Sequence, residues 1–207
     1  FSILRNGTPY KNFRGDNESK LTLKTNVLNN EGEIEEISYS ITLYKGRNHG
    51  NIGCERTGSY IKLGALITNP SSLFSIYVPG LAGVPQVEEL RAQAIVRRGV
   101  ASGDANLYLR NVIYYIKKDG KLRQLNDWFS SIFNNATVTV LFNDTKDTFI
   151  NVKVRVDGKT VPLELAGTGI LQILQIISYV TYFNPSLLLL DEPDSHLHPN
   201  NQAVLAE

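Results

Sequence analysis

Residues 21–27, Leu-Thr-Leu-Lys-Thr-Asn-Val, alternate apolar and polar side chains, the period of two that a half-buried strand requires. Ile34 to Tyr44 repeats the pattern with Ile37, Tyr39, Ile41 and Leu43 on one side, and Asn29-Asn30-Glu31-Gly32 between the two runs predicts a hairpin turn. Tyr60 to Leu63 and Leu73 to Val78 are further strand candidates. The glycine-rich piece from Gly46 to Gly58 reads as a surface loop. Its Gly50, Gly53 and Gly58 would suit a phosphate cradle, but the Lys-Ser/Thr ending of such a loop is missing.

The period then lengthens. Glu88, Leu90, Arg91, Ala94, Ile95 and Arg98 predict an amphipathic helix ending near Gly99. Asn106 to Lys118 predicts a second, with Leu107, Leu109, Val112, Ile113 and Ile116 on its apolar side, broken by Asp119-Gly120. Leu122 to Phe133 predicts a third, capped by Asn134-Asn135. Val138 to Phe142 and Phe149 to Val156 follow as paired strands around Asn143-Asp144, and Gly167-Thr168-Gly169 leads into an apolar helix. The organisation predicted is a β-rich part over residues 1–80, a helical insertion over 81–135, and strands, helix and a final strand over 136–207.

The densest chemistry lies at the end. Leu187-Leu188-Leu189-Leu190 is a short, wholly apolar run of the kind found in a central parallel strand covered on both faces. Asp191 and Glu192 follow at once, and in open α/β sheets ligands sit at the carboxyl ends of strands. A rigid strand ending in two carboxylates suits Mg²⁺-nucleotide hydrolysis. Asp191 is assigned to the metal, a hard ion that takes oxygen ligands and keeps several waters. Glu192 is assigned as the base that orients and deprotonates the attacking water. Glycines at a helix start let backbone N–H groups approach an anion, which makes Ala166, Gly167, Thr168 and Gly169 candidates for phosphate contact.

Leu187 to Pro193 resembles the Walker B motif of ABC-type ATPases. The continuation Asp194-Ser195-His196-Leu197-His198-Pro199 is similar to the non-transporter branch, the overcoming-lysogenization-defect (OLD), RecF-like and SMC-related ATPases of the AAA family in bacterial defence and DNA repair. Transporter ATPases usually carry Leu-Asp where this chain has Leu197-His198. The resemblance implies a P-loop NTPase fold of ABC-ATPase type, α/β with an antiparallel β part and a helical insertion. Leu165-Ala166-Gly167-Thr168-Gly169 resembles the signature loop that contacts the γ-phosphate held by a partner subunit, with Ala166 in place of the usual serine. Asp194, Ser195 and His196 fall on the D-loop, which reaches across a dimer interface. Gln86, in the Pro/Gly loop after Tyr77-Val78, resembles the Q-loop glutamine; a plain structural loop is the other reading. His196 and His198 form a His-x-His pair that would also suit a transition metal.

A Gly-x-x-x-x-Gly-Lys-Ser/Thr loop occurs nowhere in the 207 residues. With no methionine and a last residue inside an apparent helix, the expectation is an excerpt of a longer polypeptide, with that loop before Phe1 and a switch histidine after Glu207. The excerpt alone is expected to be inactive. ATP and Mg²⁺ are the expected cofactors, a nucleotide-sandwiched homodimer the expected assembly, and a partner or fused effector such as a nuclease the expected output. A non-hydrolysing ATPase-like interaction module and a transporter ATPase subunit are the alternatives.

Composition narrows this little. A net charge of +1 and a charged share of 20% demand no nucleic-acid or membrane partner. Arg91, Arg97, Arg98, Arg110, Lys117, Lys118, Lys121 and Arg123 make the helical region locally basic, either a nucleic-acid or partner surface or a solvated helical face. No apolar run reaches the ~18 residues of a membrane span. The single cysteine, Cys54, excludes an internal disulfide and a cysteine-built zinc site, and favours a cytoplasmic setting.

Overall fold

The computed structural model describes residues 19–29, 31–45, 51–69, 73–80 and 83–192. The chain divides into two compact units, residues 1–69 and 70–207. Both mix strands with helices.

In the first unit, β1 (Ser19–Leu28), β2 (Ile34–Lys45) and β3 (Ile52–Gly58) form an antiparallel sheet with β2 in the middle. The predicted hairpin is present, in register from Ser19 opposite Leu43 to Leu28 opposite Ile34. Asn29 closes its turn, its Oδ1 accepting N–H bonds from Glu31 and Glu33, both at 2.9 Å. Ile37 and Tyr39 of β2 and Leu63 are the buried core, with Leu23, Val27, Ile41 and Ile67 packed against it.

Two expectations fail here. Residues 52–58, read as loop, form β3, because the free edge of β2 accepts a second antiparallel partner. Tyr60 to Leu63, read as strand, belongs to a single turn of π-helix, Tyr60–Gly64, followed by α1 (Ala65–Thr68). Both edges of β2 are then occupied. Gly58 also turns the chain away at φ +104°, where a Cβ would stand 2.3 Å from the Ser38 carbonyl oxygen, so only glycine fits.

The second unit holds β4 (Ser75–Val78), α2 (Gln93–Ala101), α3 (Leu109–Lys118), α4 (Leu122–Ile132), an antiparallel sheet of β5 (Thr137–Leu141), β6 (Asn151–Val156) and β7 (Lys159–Pro162), then α5 (Thr168–Phe183) and β8 (Leu187–Leu190). A 3₁₀ turn, Ala105–Tyr108, leads into α3. The core is α5, buried along both its apolar residues (Leu171, Ile173, Leu174, Ile176, Ile177, Tyr179) and its polar ones (Gln172, Gln175, Ser178, Thr181). Helices α3 and α4 pack on it, presenting Leu109, Val112, Ile113, Ile116, Leu125 and Phe129, all fully buried. Side chains tie these helices to β5: Lys117 Nζ donates to the Val140 carbonyl at 2.9 Å, and Asn126 exchanges two bonds with Val138. Among the described residues no helix is long and apolar enough to cross a membrane.

The helix expected from residue 88 begins only at Gln93. Residues 83–92 are held out of helix by a buried polar cluster centred on Arg110, which is 2% exposed. Glu88 caps α3 from 22 residues upstream. Its carboxylate accepts the backbone N–H groups of Arg110 (3.0 Å) and Asn111 (3.1 Å) and the Asn111 side-chain amide (3.1 Å). The Arg110 guanidinium lies 3.5 Å from Glu88, donates to the Pro85 and Gln86 carbonyls, and pairs with Glu164 at 2.9 Å. Asn111 also donates to Glu89 O and accepts from Arg91 N. The Glu88 carbonyl accepts Ile150 N–H, and Glu89 bridges Phe149. Helical periodicity in residues 88–92 therefore loses to long-range hydrogen bonds.

Arg110 was one of eight cations read as a basic helical surface, and the structure corrects this by burying it. The other seven have separate partners or surroundings. Arg91 pairs with Glu89, Arg123 approaches Asp127, Lys117 and Lys121 donate to carbonyls, and Lys118 lies over the Tyr115 ring. Arg97 and Arg98 line a cavity of about 450 Å³ with Leu73, Gln93, Ala94 and Ala101.

Two predictions follow from this packing. Phe129→Ala empties a fully buried ring site against Phe133 and should cost about 3–5 kcal/mol in urea unfolding. Burial pushes the Glu88 carboxyl above its ordinary pKa, and the bonds from Arg110 and Asn111 pull it only part of the way back. The folded state then holds the proton longer than the unfolded one. The stability linked to Glu88 is complete below pH ~4.3 and is lost as the pH rises through its folded value. Glu88→Gln should flatten that slope, measured as the difference between wild-type and variant urea midpoints across the acidic range.

Candidate functional site

Strands β4 and β8 run parallel, with Ser75 opposite Leu187 and Val78 opposite Leu190. The pairing continues one step past β8, where Asp191 N–H donates to the Val78 carbonyl at 3.1 Å. Side chains alternate across this ribbon. Ile76, Val78, Leu188 and Leu190 face the core, which places Tyr77, Leu189 and Asp191 on the other side. Leu189 is 47% exposed. The four-leucine run was expected to be a central strand covered on both faces. Among the described residues it pairs with β4 alone and is covered on one face.

Asp191 and Glu192 thus emerge at the carboxyl end of a parallel strand, both exposed. Tyr77 OH donates to Asp191 Oδ2 at 2.8 Å, fixing one carboxylate oxygen and leaving the other three lone-pair directions to other donors or a cation. Glu192 has φ +46°, in the left-handed region. Its carbonyl accepts a 3.0 Å bond from Gln172 Nε2 of α5. Gly80 passes alongside, where a Cβ would stand 3.5 Å from the Asp191 carbonyl oxygen.

The first turn of α5 lies one helical turn before Gln172. Gly167 is the N-cap residue, with φ −59° and ψ 149°, and no side chain caps the helix. Gly167 and Thr168 are exposed, and a Cβ on Gly167 would meet open space. Ala166 is half-buried, held by its N–H bond to the Leu163 carbonyl. A helix N-terminus without a side-chain cap keeps backbone N–H groups and a positive potential for an anion.

The structure therefore brings Asp191 and Glu192 together with Tyr77, Gly80 and Gln172. The turn from Ala166 to Gly169 lies at the N-terminus of the helix that carries Gln172. Gln86 is exposed and held through its carbonyl by Arg110 Nη2, which also donates to Glu164, two residues before Ala166. Asp194, Ser195, His196 and His198 lie outside the described residues. Among those described, no group of three or more His, Cys, Asp or Glu side chains gathers to hold a metal. One carboxylate suits Mg²⁺, which keeps most of its waters, and does not suit an ion that needs a full protein cage. Gly158-Lys159-Thr160, which shares the last three positions of a phosphate loop, sits in the β6–β7 hairpin. Its turn has positive φ at both Asp157 and Gly158, and a strand follows where a phosphate loop needs a helix.

Sequence reasoning missed Tyr77, Gln172, Glu88, Arg110 and Glu164. Only Gln172 left a signal, a polar residue interrupting an apolar helix. The partners of the others are 22 to 114 positions away in the chain.

Residues 104–207 match the AAA ATPase domain family. An uncharacterized protein of Methanocaldococcus jannaschii is 25% identical over 113 residues, which is 50% of this chain and 14% of that protein's length. The family match takes in α3 to α5, the β5–β7 sheet and β8 with its two carboxylates, and by that match over half of its residues the chain belongs to the AAA ATPase domain family.

Proposed function

We propose that this chain forms part of the ATP-hydrolysing head of a P-loop ATPase of ABC type, akin to the OLD, RecF-like and SMC-related branch and cytoplasmic in setting. The observation that carries the reading is the pair Asp191–Glu192 at the carboxyl end of β8, with the uncapped start of α5 one helical turn from the Gln172 that bonds Glu192.

In this reading Asp191 holds Mg²⁺ through the carboxylate that Tyr77 orients. Bound there, the ion neutralises charge on the phosphate oxygens. Glu192 accepts the proton of the attacking water. The N–H groups at Gly167, Thr168 and Gly169 would face the γ-phosphate of a nucleotide bound to a second copy, with Ala166, its own N–H taken by the Leu163 carbonyl, setting the turn, and Asp194, Ser195 and His196 would complete that contact. Gln86 senses the occupied site. ATP then acts as the glue of a homodimer, and its hydrolysis releases the dimer and gates a partner or fused effector such as a nuclease. The second reading is a non-hydrolysing module that keeps the fold, because the family match gives the domain and not its turnover.

The test is made on the full-length protein. Glu192→Gln should lower steady-state phosphate release by about 10²–10⁴-fold and retain ATP in a dimer resolved by size-exclusion chromatography. Asp191→Asn should abolish the Mg²⁺ dependence of nucleotide binding. Wild-type turnover in Glu192→Gln removes that residue from its role, and a wild-type protein that binds ATP without turning it over supports the non-hydrolysing module.

A further inference from the structure

Gln172 is 2% exposed and is one of four polar residues, with Gln175, Ser178 and Thr181, buried on α5. Its Nε2 makes the 3.0 Å bond to the Glu192 carbonyl, while its Oε1 has no hydrogen-bond partner. A buried acceptor left unsatisfied is costly, and leucine would pack at this position without that cost. Gln175 and Ser178 carry the same kind of unpartnered oxygen, and what sets Gln172 apart is its bond to the Glu192 carbonyl.

Glu192 is one of four non-glycine residues with positive φ among those described. Such a conformation persists only where the surroundings over-determine it. Two bonds do so here. The Asp191 N–H is pinned to the Val78 carbonyl on one side, and the Glu192 carbonyl is pinned by Gln172 on the other. Together they set the plane from which the Glu192 side chain departs. The anchor is stiff, because α5 is buried from Leu171 to Tyr179 and close-packed interiors yield little.

We propose that Gln172 is a positioning residue for Glu192, holding the left-handed turn that aims its carboxylate. This rests on Glu192 being the base. Displacing a reacting group by about 1 Å costs roughly 10²-fold in rate, so a single backbone bond at this place matters to turnover without mattering to substrate binding.

The experiment uses the full-length protein and three variants. Gln172→Met keeps the length of the side chain and removes its donor. Glu192→Gln tests the base itself. Ser178→Ala removes another buried, unpartnered oxygen on α5 and serves as the control. Gln172→Met is expected to lower kcat about 10–100-fold, with KM and the Kd for a fluorescent ATP analogue within about twofold of wild type. Its melting temperature should stay equal or rise, since the orphaned Oε1 is gone. Amide exchange in a peptide covering residues 187–192 should speed up in Gln172→Met and not in Ser178→Ala. If Gln172→Met does not fold, Gln172→Asn, an amide one methylene shorter, reads the same quantities. Unchanged kcat in the Gln172 variant while Glu192→Gln is inactive overturns the positioning role and leaves the base in place. So does a loss of kcat, KM and melting temperature together, or an equal loss in Ser178→Ala. Turnover in Glu192→Gln overturns the reading beneath it.

Discussion

The second unit depends on the burial of α5. Its six core apolar residues (Leu171, Ile173, Leu174, Ile176, Ile177 and Tyr179) are at most 5% exposed, and each such side chain contributes roughly 1.5–3 kcal/mol by leaving water. A helix apolar on nearly every side must be surrounded, so α3 and α4 pack onto it and β5 is tied to them by Lys117 and Asn126. The ends of α5 are thereby fixed. At its C-terminus Asn184 adopts the left-handed conformation, its N–H bonded to Val180 O, and Pro185 sends the chain back into β8. At its N-terminus the glycine-flanked turn is presented with its N–H groups free of any side-chain cap. The geometry of the site is thus the geometry of the two ends of one buried helix, joined through the strand that follows it.

That dependence also explains which parts were legible in the sequence. The β1–β2 hairpin, α3, α4 and the β5–β6 pair are local structures whose periodicity matches their environment, and each lies within a few residues of its expected place. Residues 88–92 carry helical periodicity too, yet Glu88 is taken by the N-terminus of α3 and Glu89 by Phe149. A periodicity argument sees only neighbours along the chain, and those partners lie 22 and 60 positions away. Residues 52–58 fail for the opposite reason. Their glycines and charges look like a loop until an unpaired strand edge is supplied by β2.

The candidate site divides along the same line. Asp191 and Glu192 were readable because they are adjacent to each other and to a four-leucine strand. The groups that hold them were not. Tyr77 lies 114 positions from the carboxylate it bonds, and Gln172 lies 20 from the carbonyl it bonds. Arg110 was misread because a charged residue on an amphipathic helix is normally solvated. What reverses that expectation is the pair of carboxylates, Glu88 and Glu164, that the fold brings to it from both directions along the chain.

The Arg110 cluster has a consequence for how this protein can change over generations. Replacing Arg110 alone leaves Glu88 buried without its cation, and replacing Glu88 alone leaves the buried guanidinium with Glu164 as its one carboxylate and two N–H groups of α3 uncapped. Either single step is far more damaging than losing the whole set, because a well-packed apolar cluster can substitute for a buried ionic one. Drift at these positions is therefore blocked one residue at a time and open only to joint replacement. In relatives, position 88 and position 110 should be inherited as a unit, even where the surface around them has been rewritten.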